Sequence, residues 1–258
     1  MSLLRLEGVT RSFYGIKALN GATFDVSARG ITGLIGPNGA GKTTLFNCIT
    51  GVVPADGGKI LFDGLDITRM RPDRITQLGL VRTFQISRAL PRMSVLDNML
   101  IYGTAQPGEG VLQALASSAK SRTREAELVE RAVTIAKRLN LMQVLHNPAS
   151  DLSGGQKKLL EIGRALMTEP KLILLDEPIA GVNPTLANEI GEQLRSLTND
   201  GIAILLIEHH MDTIARLCDR VIVLADGRHL ASGSFAEIAE NPSVQEAYMG
   251  RRWRSSGG

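Results

Sequence analysis

The chain has 258 residues, of which 43% are hydrophobic and 21% are charged, values that are ordinary for a folded protein with a sizeable core. The formal net charge of +3 is too small to indicate a nucleic-acid partner by itself, and the longest aliphatic runs fall well short of the ~18 residues that a membrane span requires. No signal-peptide pattern precedes the first motifs, and Cys48 and Cys218 are expected to be buried thiols in a reducing compartment, so we expect a cytoplasmic protein.

The first third of the sequence is typical of strands and turns. The segments LLRLEGV and ATFDVSA have strand-like composition. The segment KILFDGLDI places Asp63 and Gly64 between two apolar runs, which predicts a hairpin. GITGLIG predicts a short apolar strand that ends in a glycine-rich loop, and KTTLFNCITG predicts the helix that follows.

The rest of the sequence alternates helices with buried strands. From about Gly103 to Asp151 the segment is largely helical, with apolar residues at helical spacing at Leu128, Ala132, Ile135 and Leu139. KLILLDEP and IAILLIEHH are continuous aliphatic runs, which predict strands buried on both faces. Between them we expect a helix that Asn183 caps and Gly201 ends. This alternation predicts an α/β fold with a parallel sheet, to which the front hairpins and the middle helical block are additions.

The loop GPNGAGKT, residues 36–43, fits the pattern G-x-x-x-x-G-K-[ST] between a predicted strand and a predicted helix. Its glycines let backbone N–H groups approach phosphate oxygens closely. Lys42 can neutralise the β and γ phosphates, and the Thr43 hydroxyl can ligate magnesium. A plain glycine-rich turn is a poor alternative in this context, so the loop predicts a nucleotide phosphate site.

Polar residues follow two of the predicted buried strands. Asp176 ends one strand, where it can complete a magnesium site, and Glu177 follows it, where it can polarise an attacking water. His209 ends the next strand and should emerge at the same edge of a parallel sheet, within reach of a γ-phosphate. Because His210 stands directly beside it, the sequence leaves open which of the two histidines points inward.

A second candidate cradle for an anion lies in LSGGQ, residues 152–156, which leads into an amphipathic helix. A glycine pair at a helix N-terminus exposes N–H groups, and the helix dipole there favours negative charge. The chain therefore carries two candidate phosphate cradles more than a hundred residues apart.

The motifs GPNGAGKTT, LSGGQ and LILLDEP, in this order, resemble the Walker A, signature and Walker B motifs of ATP-binding cassette (ABC) ATPases, and the resemblance covers essentially the whole chain. It implies a P-loop NTPase (RecA-like) core with a parallel sheet, an N-terminal antiparallel β sub-domain and an inserted α-helical sub-domain. On this basis the core and β sub-domain are expected in residues 1–84 and 152–258. The Q-loop and the mainly helical sub-domain are expected in residues 85–151, with the signature loop at its end.

The resemblance also implies roles for individual residues. Glu177 would be the catalytic base, His209 the switch histidine and Gln85 the Q-loop glutamine, while Phe13, with Tyr14 as the alternative, would stack on adenine. The residues expected at ATP are Phe13, Gly36, Pro37, Asn38, Gly39, Ala40, Gly41, Lys42, Thr43 and Thr44 in one cradle and Ser153, Gly154, Gly155 and Gln156 in the other. Those expected at Mg²⁺ are Thr43, Gln85 and Asp176.

Partners follow from the same resemblance. Two cassettes of this family stack head to tail, and each signature loop closes over the γ-phosphate that the partner's Walker A loop binds. We therefore expect a homo- or heterodimer in which each cradle is half of a site. Integral membrane permease subunits would dock on residues 85–98 and the helical block, with a solute-binding protein as an indirect partner and no nucleic acid. The chain would lie peripherally at the cytoplasmic face of the cell membrane.

Within the family, the segments RTFQISRALPRMSVLDNM, AGVNP, LLIEHHMD and GSFAEIAENPSVQEAYMG are most similar to subunits of branched-chain amino-acid importers. Cassettes for urea uptake or lipopolysaccharide export share several of these features and remain alternatives. Two residues depart from the usual pattern: His210 and Asn183 stand where the family usually has Asp. Soluble ABC ATPases that act on DNA or ribosomes typically add a long coiled coil or a second cassette, and a small-molecule kinase has no use for LSGGQ.

Overall fold

The computed structural model describes residues 2–83, 90–103 and 119–254. Its strands are β1 (Ser2–Phe13), β2 (Ile16–Ser27), β3 (Ile31–Ile35), β4 (Gly57–Phe62), β5 (Leu65–Asp66), β6 (Leu80–Arg82), β7 (Leu172–Asp176), β8 (Ala203–Ile207), β9 (Arg220–Ala225) and β10 (Arg228–Gly233). Its α-helices are α1 (Lys42–Ile49), α2 (Pro72–Gln77), α3 (Val95–Leu100), α4 (Ala119–Arg138), α5 (Gly154–Met167), α6 (Pro184–Asn199), α7 (Met211–Leu217), α8 (Phe235–Glu240) and α9 (Pro242–Arg254).

The chain divides into two compact units. The first comprises residues 1–82, 171–180 and 191–258, and the second comprises residues 83–170 and 181–190. The predicted P-loop and both predicted buried strands belong to the first unit, and the LSGGQ loop belongs to the second. Every helix in the described part of the chain is too short or too polar to span a bilayer.

The first sheet of the first unit is antiparallel, with the strand order β2-β1-β4-β5. Strands β4 and β5 pair across a tight turn in which Asp63 and Gly64 have φ values of 50° and 79°. Positive φ at both central residues is what a hairpin turn matched to the strand twist requires, and Asp-Gly satisfies it at little cost. The hairpin predicted from KILFDGLDI is therefore confirmed.

The second sheet has the order β10-β9-β3-β8-β7-β6 in the described part of the chain. Strands β9, β3, β8, β7 and β6 run parallel, and only β10 is antiparallel to its neighbour. Every residue of β3, β7 and β8 is buried, which confirms the strands predicted from continuous aliphatic runs. One buried cluster runs from the first sheet through α1 to the second and includes Leu4, Phe46 and Leu174.

The second unit contains α3, α4 and α5, and these helices pack closely. Leu128, Ala132, Ile135 and Leu139 of the α4 segment are buried as their spacing predicts. Gly163 of α5 has no side chain to keep its neighbours away, and a Cβ there would lie 3.2 Å from both Leu139 and Met99. Asn183 caps α6 as expected, because its side chain accepts the Leu186 N–H at 2.9 Å.

Candidate nucleotide site

The loop that joins β3 to α1 is built from backbone that only glycine allows. A side chain at Gly36 would place its Cβ 2.0 Å from the Leu224 carbonyl oxygen, and one at Gly41 would place it 2.4 Å from the Ala18 carbonyl oxygen. Gly41, at φ 100°, precedes the first residue of α1. The loop therefore brings backbone N–H groups and the positive end of a helix to the carboxyl edge of the sheet, as an anion site requires.

The side chains of Lys42 and Tyr248 lie against this loop. The Lys42 ammonium donates to the Gly36 carbonyl at 2.7 Å and to the Pro37 carbonyl at 3.1 Å. Tyr248 of α9 lies near the start of the same loop: burial raises the pKa of its phenol, and the Gly36 backbone opposes the rise. Lys42 lies where phosphate oxygens could replace the two carbonyls as its partners.

Asp176 ends β7 at the same edge, and its side chain forms a buried ion pair with Arg82. The Arg82 Nη2 atom lies 2.9 Å from Asp176 Oδ2, and the two side chains are 9% and 4% exposed. Arg82 also donates to Asn47 of α1 at 2.5 Å. Arg82 and Asn47 were not predicted from the sequence, since nothing in the local pattern LVRTF indicates a partner on β7 or on α1.

Glu177 and His209 meet at this edge. His209 Nε2 lies 3.0 Å from Glu177 Oε1, and the side chains are 42% and 24% exposed. Glu177 has φ 52°, a strained value for a residue with a side chain, and its N–H donates to Ile207 at 2.9 Å. The structure therefore brings the two predicted residues together in a partly open position, while His210, whose side chain is 71% exposed, does not contact Glu177 in any ion pair of the described residues.

Glu208 is a further buried carboxylate that sequence analysis did not select. It is 1% exposed, and it accepts the Ile179 N–H and the His209 N–H, each at 3.2 Å. His210 Nδ1 lies 3.6 Å from it. One carboxylate thus holds the loop after Glu177 and the loop that carries His209. The available signal was an acid directly after five aliphatic residues, because such an acid must be buried unless the chain turns outward.

The LSGGQ loop of the second unit forms a reciprocal cap at the start of α5. The Ser153 hydroxyl accepts the Gln156 N–H at 3.2 Å, and Gln156 Oε1 accepts the Ser153 N–H at 3.0 Å. Gly155 is buried, and a Cβ there would lie 1.7 Å from Leu186. Ser153 and Gly154 are exposed, and a Cβ at Gly154 would meet nothing within 4 Å. These two residues are therefore accessible from outside the helix that they begin.

The two candidates for adenine stacking, Phe13 and Tyr14, differ in exposure. Phe13 ends β1 with 36% of its surface exposed, whereas Tyr14 is fully exposed in the turn at φ 48°. Gln85 lies outside the described residues. Within the described ranges no cluster of three or more His, Cys, Asp or Glu side chains could hold a metal. Mg²⁺ commonly takes one or two protein oxygens and fills its shell with phosphate and water; the Thr43 hydroxyl and the Asp176 carboxylate would be the protein oxygens at such a site.

Comparison with known proteins places the chain among ATP-binding cassettes. The family described as "ABC transporter" matches residues 19–180, and the family described as "Branched-chain amino acid ATP-binding cassette transporter" matches residues 228–253. The chain is 42% identical to a probable branched-chain amino acid transport ATP-binding protein LivG of Archaeoglobus fulgidus, covering 97% of this chain and 96% of that protein. It is 38% identical to the LivG protein of Salmonella typhimurium, with 96% and 98% covered.

Solved structures agree. The crystal structure of the ADP conformation of MJ1267, an ATP-binding cassette of an ABC transporter, superimposes with a TM-score of 0.84 at 42% identity, covering 97% of this chain and 99% of that one. A CbiO1 protein of Clostridium perfringens, part of the CbiONQ transporter complex, gives a TM-score of 0.76 at 27% identity, with 95% and 94% covered. The predicted P-loop fold, with its antiparallel and parallel sheets, is therefore confirmed.

Proposed function

This chain belongs to the ABC transporter family as an ATP-hydrolysing cassette, and from that premise we propose that it powers the import of branched-chain amino acids. The catalytic part of the proposal depends on one observation: Glu177 and His209 lie in contact at the carboxyl edge of the sheet that carries Asp176 and the phosphate loop. The solute is inferred from the C-terminal match of residues 228–253 and from the names of relatives that cover nearly the whole chain.

In the proposed mechanism, Lys42 exchanges the Gly36 and Pro37 carbonyls for the β and γ phosphates of ATP. Mg²⁺, held by Thr43 and Asp176, would neutralise charge on those phosphates. Glu177 accepts a proton from the attacking water, and His209 orients the Glu177 carboxylate by its contact with Oε1. Glu208 holds the backbone of the His209 loop and so fixes the direction of the imidazole.

The exposed Ser153 and Gly154 are proposed to act in a dimer. Both residues are exposed, and their hydroxyl and N–H groups suit a phosphate presented by another cassette. Each chain would then supply the phosphate loop of one site and the LSGGQ loop of the other. This is how we explain two phosphate cradles in one chain.

A groove on the second unit is the proposed docking surface for a permease. It has a volume of about 380 Å³ and is lined by Met93, Asp97, Leu100, Ile101, Glu125, Leu128 and Val129. Apolar side chains form most of its surface and two carboxylates stand among them. We infer that it receives a helix with an apolar face and at least one basic residue, since opposite charges would fix the register of docking.

Transport can be tested with the chain co-expressed with its permease subunits and reconstituted into lipid vesicles with the solute-binding protein. We expect ATP-dependent uptake of labelled leucine, isoleucine or valine, with no uptake by complexes that carry Glu177→Gln. Uptake or ATPase stimulation by urea, with no response to the three amino acids, would contradict the solute. Failure of the purified chain to hydrolyse ATP under any of these conditions would contradict the catalytic roles.

A further inference from the structure

Arg11 lies against the aromatic ring at the end of β1. Its guanidinium carbon is 4.7 Å from the centroid of the Phe13 ring, a distance typical of a cation stacked on an aromatic face. Phe13 keeps 36% of its surface exposed, so the ring still offers an area to a ligand. Arg11 supports the ring and does not enclose it.

The loop after α1 fixes this guanidinium. Arg11 Nη1 donates to Asp56 Oδ1 at 2.8 Å and to the Pro54 carbonyl at 3.1 Å. The other carboxylate oxygen of Asp56 accepts the Ser12 N–H at 2.7 Å. Asp56 therefore binds the side chain of Arg11 and the backbone next to Phe13 at the same time, which limits the freedom of both.

This loop continues directly from the helix that starts in the phosphate loop. The Val53 N–H donates to the Asn47 carbonyl of α1 at 3.1 Å. The charges of Arg11 and Asp56 also reach Cys48 of α1: burial, the largest effect, raises the pKa of Cys48, Arg11 lowers it and Asp56 raises it further. The ion pair thus involves the loop that follows α1, the helix that begins at the phosphate loop.

We propose that Arg11 is a positioning residue for the nucleotide base, which holds the Phe13 ring in the orientation that stacks on a purine. The proposal rests on the proposed function and, within it, on the expectation from the family resemblance that Phe13, and not Tyr14, stacks on the adenine of ATP. A ring that is already ordered loses less conformational entropy when the ligand binds. Arginine suits the task because its planar guanidinium can stack on the ring while its N–H groups bind Asp56 and Pro54.

The test compares two probes, Mg·ATP and Mg·tripolyphosphate, by calorimetric titration of the full chain. The second probe has the phosphates without the base. Arg11→Met keeps the length of the side chain but removes the cation, and Phe13→Leu removes the aromatic face. Arg5→Met is the matched control, since Arg5 lies on the same strand and forms an exposed ion pair with Glu7.

We expect Arg11→Met to weaken ATP binding by about threefold to tenfold and to leave tripolyphosphate binding unchanged. Phe13→Leu should do the same, and the double variant should bind ATP no more weakly than Phe13→Leu alone. Asp56→Asn weakens the ion pair with Arg11 and should give a smaller loss of ATP affinity, again with tripolyphosphate binding unchanged. It takes the place of Arg11→Met in the test if Arg11→Met fails to fold.

Two outcomes would overturn the proposal. Equal weakening of both probes by Arg11→Met would mean that Arg11 supports the fold of the site as a whole. Additive losses in the double variant would mean that Arg11 acts independently of Phe13. If the wild-type chain binds ATP no more tightly than tripolyphosphate, the base adds nothing to binding. That result would instead contradict the stacking of adenine on Phe13, on which the proposal rests.

Discussion

His209 Nε2 lies 3.0 Å from Glu177 Oε1 at the ends of two adjacent parallel strands. The contact places a histidine behind the carboxylate that is proposed to accept the proton of water, while Asp176 directly before it pairs with Arg82. Neighbouring acids with different partners can take different roles, and the roles proposed for these two differ: Asp176 as a metal ligand and Glu177 as a base.

Glu177→Gln should bind Mg·ATP but lose nearly all hydrolysis, with a fall in kcat of about a hundredfold or more. The amide keeps the shape of the side chain and removes the base, so a closed, ATP-bound dimer should accumulate. Size-exclusion chromatography with and without Mg·ATP measures the dimer, and a phosphate-release assay measures kcat. Glu189→Gln, on the exposed face of α6, is the control. Turnover close to that of the wild type would exclude Glu177 as the base.

Arg82→Ala should destabilise the protein by about 3 kcal/mol, because it leaves the buried carboxylate of Asp176 without its partner. Arg82→Lys should cost less, since it keeps the charge but not the planar contacts with Asp176 and Asn47. Urea unfolding monitored by circular dichroism gives both values. Arg5→Ala breaks an exposed pair and should change the free energy of unfolding by less than about 1 kcal/mol. Similar losses of unfolding free energy in Arg82→Ala and Arg5→Ala would show that the buried ion pair stabilises the protein no more than the exposed one.

Glu208→Gln should lower kcat by about tenfold and leave the KM for ATP nearly unchanged. The amide can accept a hydrogen bond from the N–H of Ile179 or of His209, but it presents its own N–H to the other. One of the two loops therefore loses its hydrogen bond to residue 208. Steady-state kinetics separates kcat from KM, and Glu240→Gln, an exposed change on α8, is the control. A rise in KM with an unaltered kcat would place Glu208 in nucleotide binding and not in positioning the catalytic loops.

The pattern of the sequence predicted several of the strands and helices, and the edge of the sheet at which the polar residues of the candidate site lie. Continuous aliphatic runs predicted β7 and β8, and the polar residues that end them meet because parallel strands present their carboxyl ends together. The hairpin at Asp63 and Gly64 followed from turn chemistry that is local to a few residues.

The contacts that organise the site could not be read from the sequence in the same way. Arg82 and Asp176 belong to strands far apart in the chain, and pairing across a sheet leaves no periodic signal. The choice between His209 and His210 was also open, since a strand end fixes the edge but not the direction of the next side chains. The structure places His209 on Glu177 and leaves His210 largely exposed.

Both thiols should react slowly in the native protein. Burial raises the pKa of Cys48 to about 11 and that of Cys218 to about 12 from an ordinary value of 9.0, so little thiolate is present at pH 8. Labelling with a disulfide reagent should be slow before unfolding and complete in guanidinium. Because the unfolded chain loses these protons at lower pH, stability should fall as pH rises through 9 and towards 11 to 12. Fast labelling of the native chain would contradict the burial of either thiol.

The last prediction concerns two variants that should each be inactive but restore one site when mixed. Lys42→Ala removes the ammonium of the phosphate loop, so that chain should not hold ATP productively. Ser153→Arg puts a long cation at an exposed position of the LSGGQ loop and should block dimer closure while its own phosphate loop still binds ATP. In a mixed dimer, the intact phosphate loop of one chain would face the intact LSGGQ loop of the other.

Recovery of ATPase activity in the mixture, rising faster than linearly with protein concentration, is therefore expected if the sites are shared. Ser153→Arg also removes a helix cap, at a cost of about 1 kcal/mol, and Ser234→Arg is the matched control because Ser234 forms the same reciprocal cap at α8. That control should remain active, since its loop lies at a different helix. If the partner is a second, different cassette, the two variants should each silence a different one of the two sites in the heterodimer. Loss of ATP binding by the isolated Ser153→Arg chain, with Ser234→Arg unaffected, would mean that both cradles of one chain hold the same nucleotide.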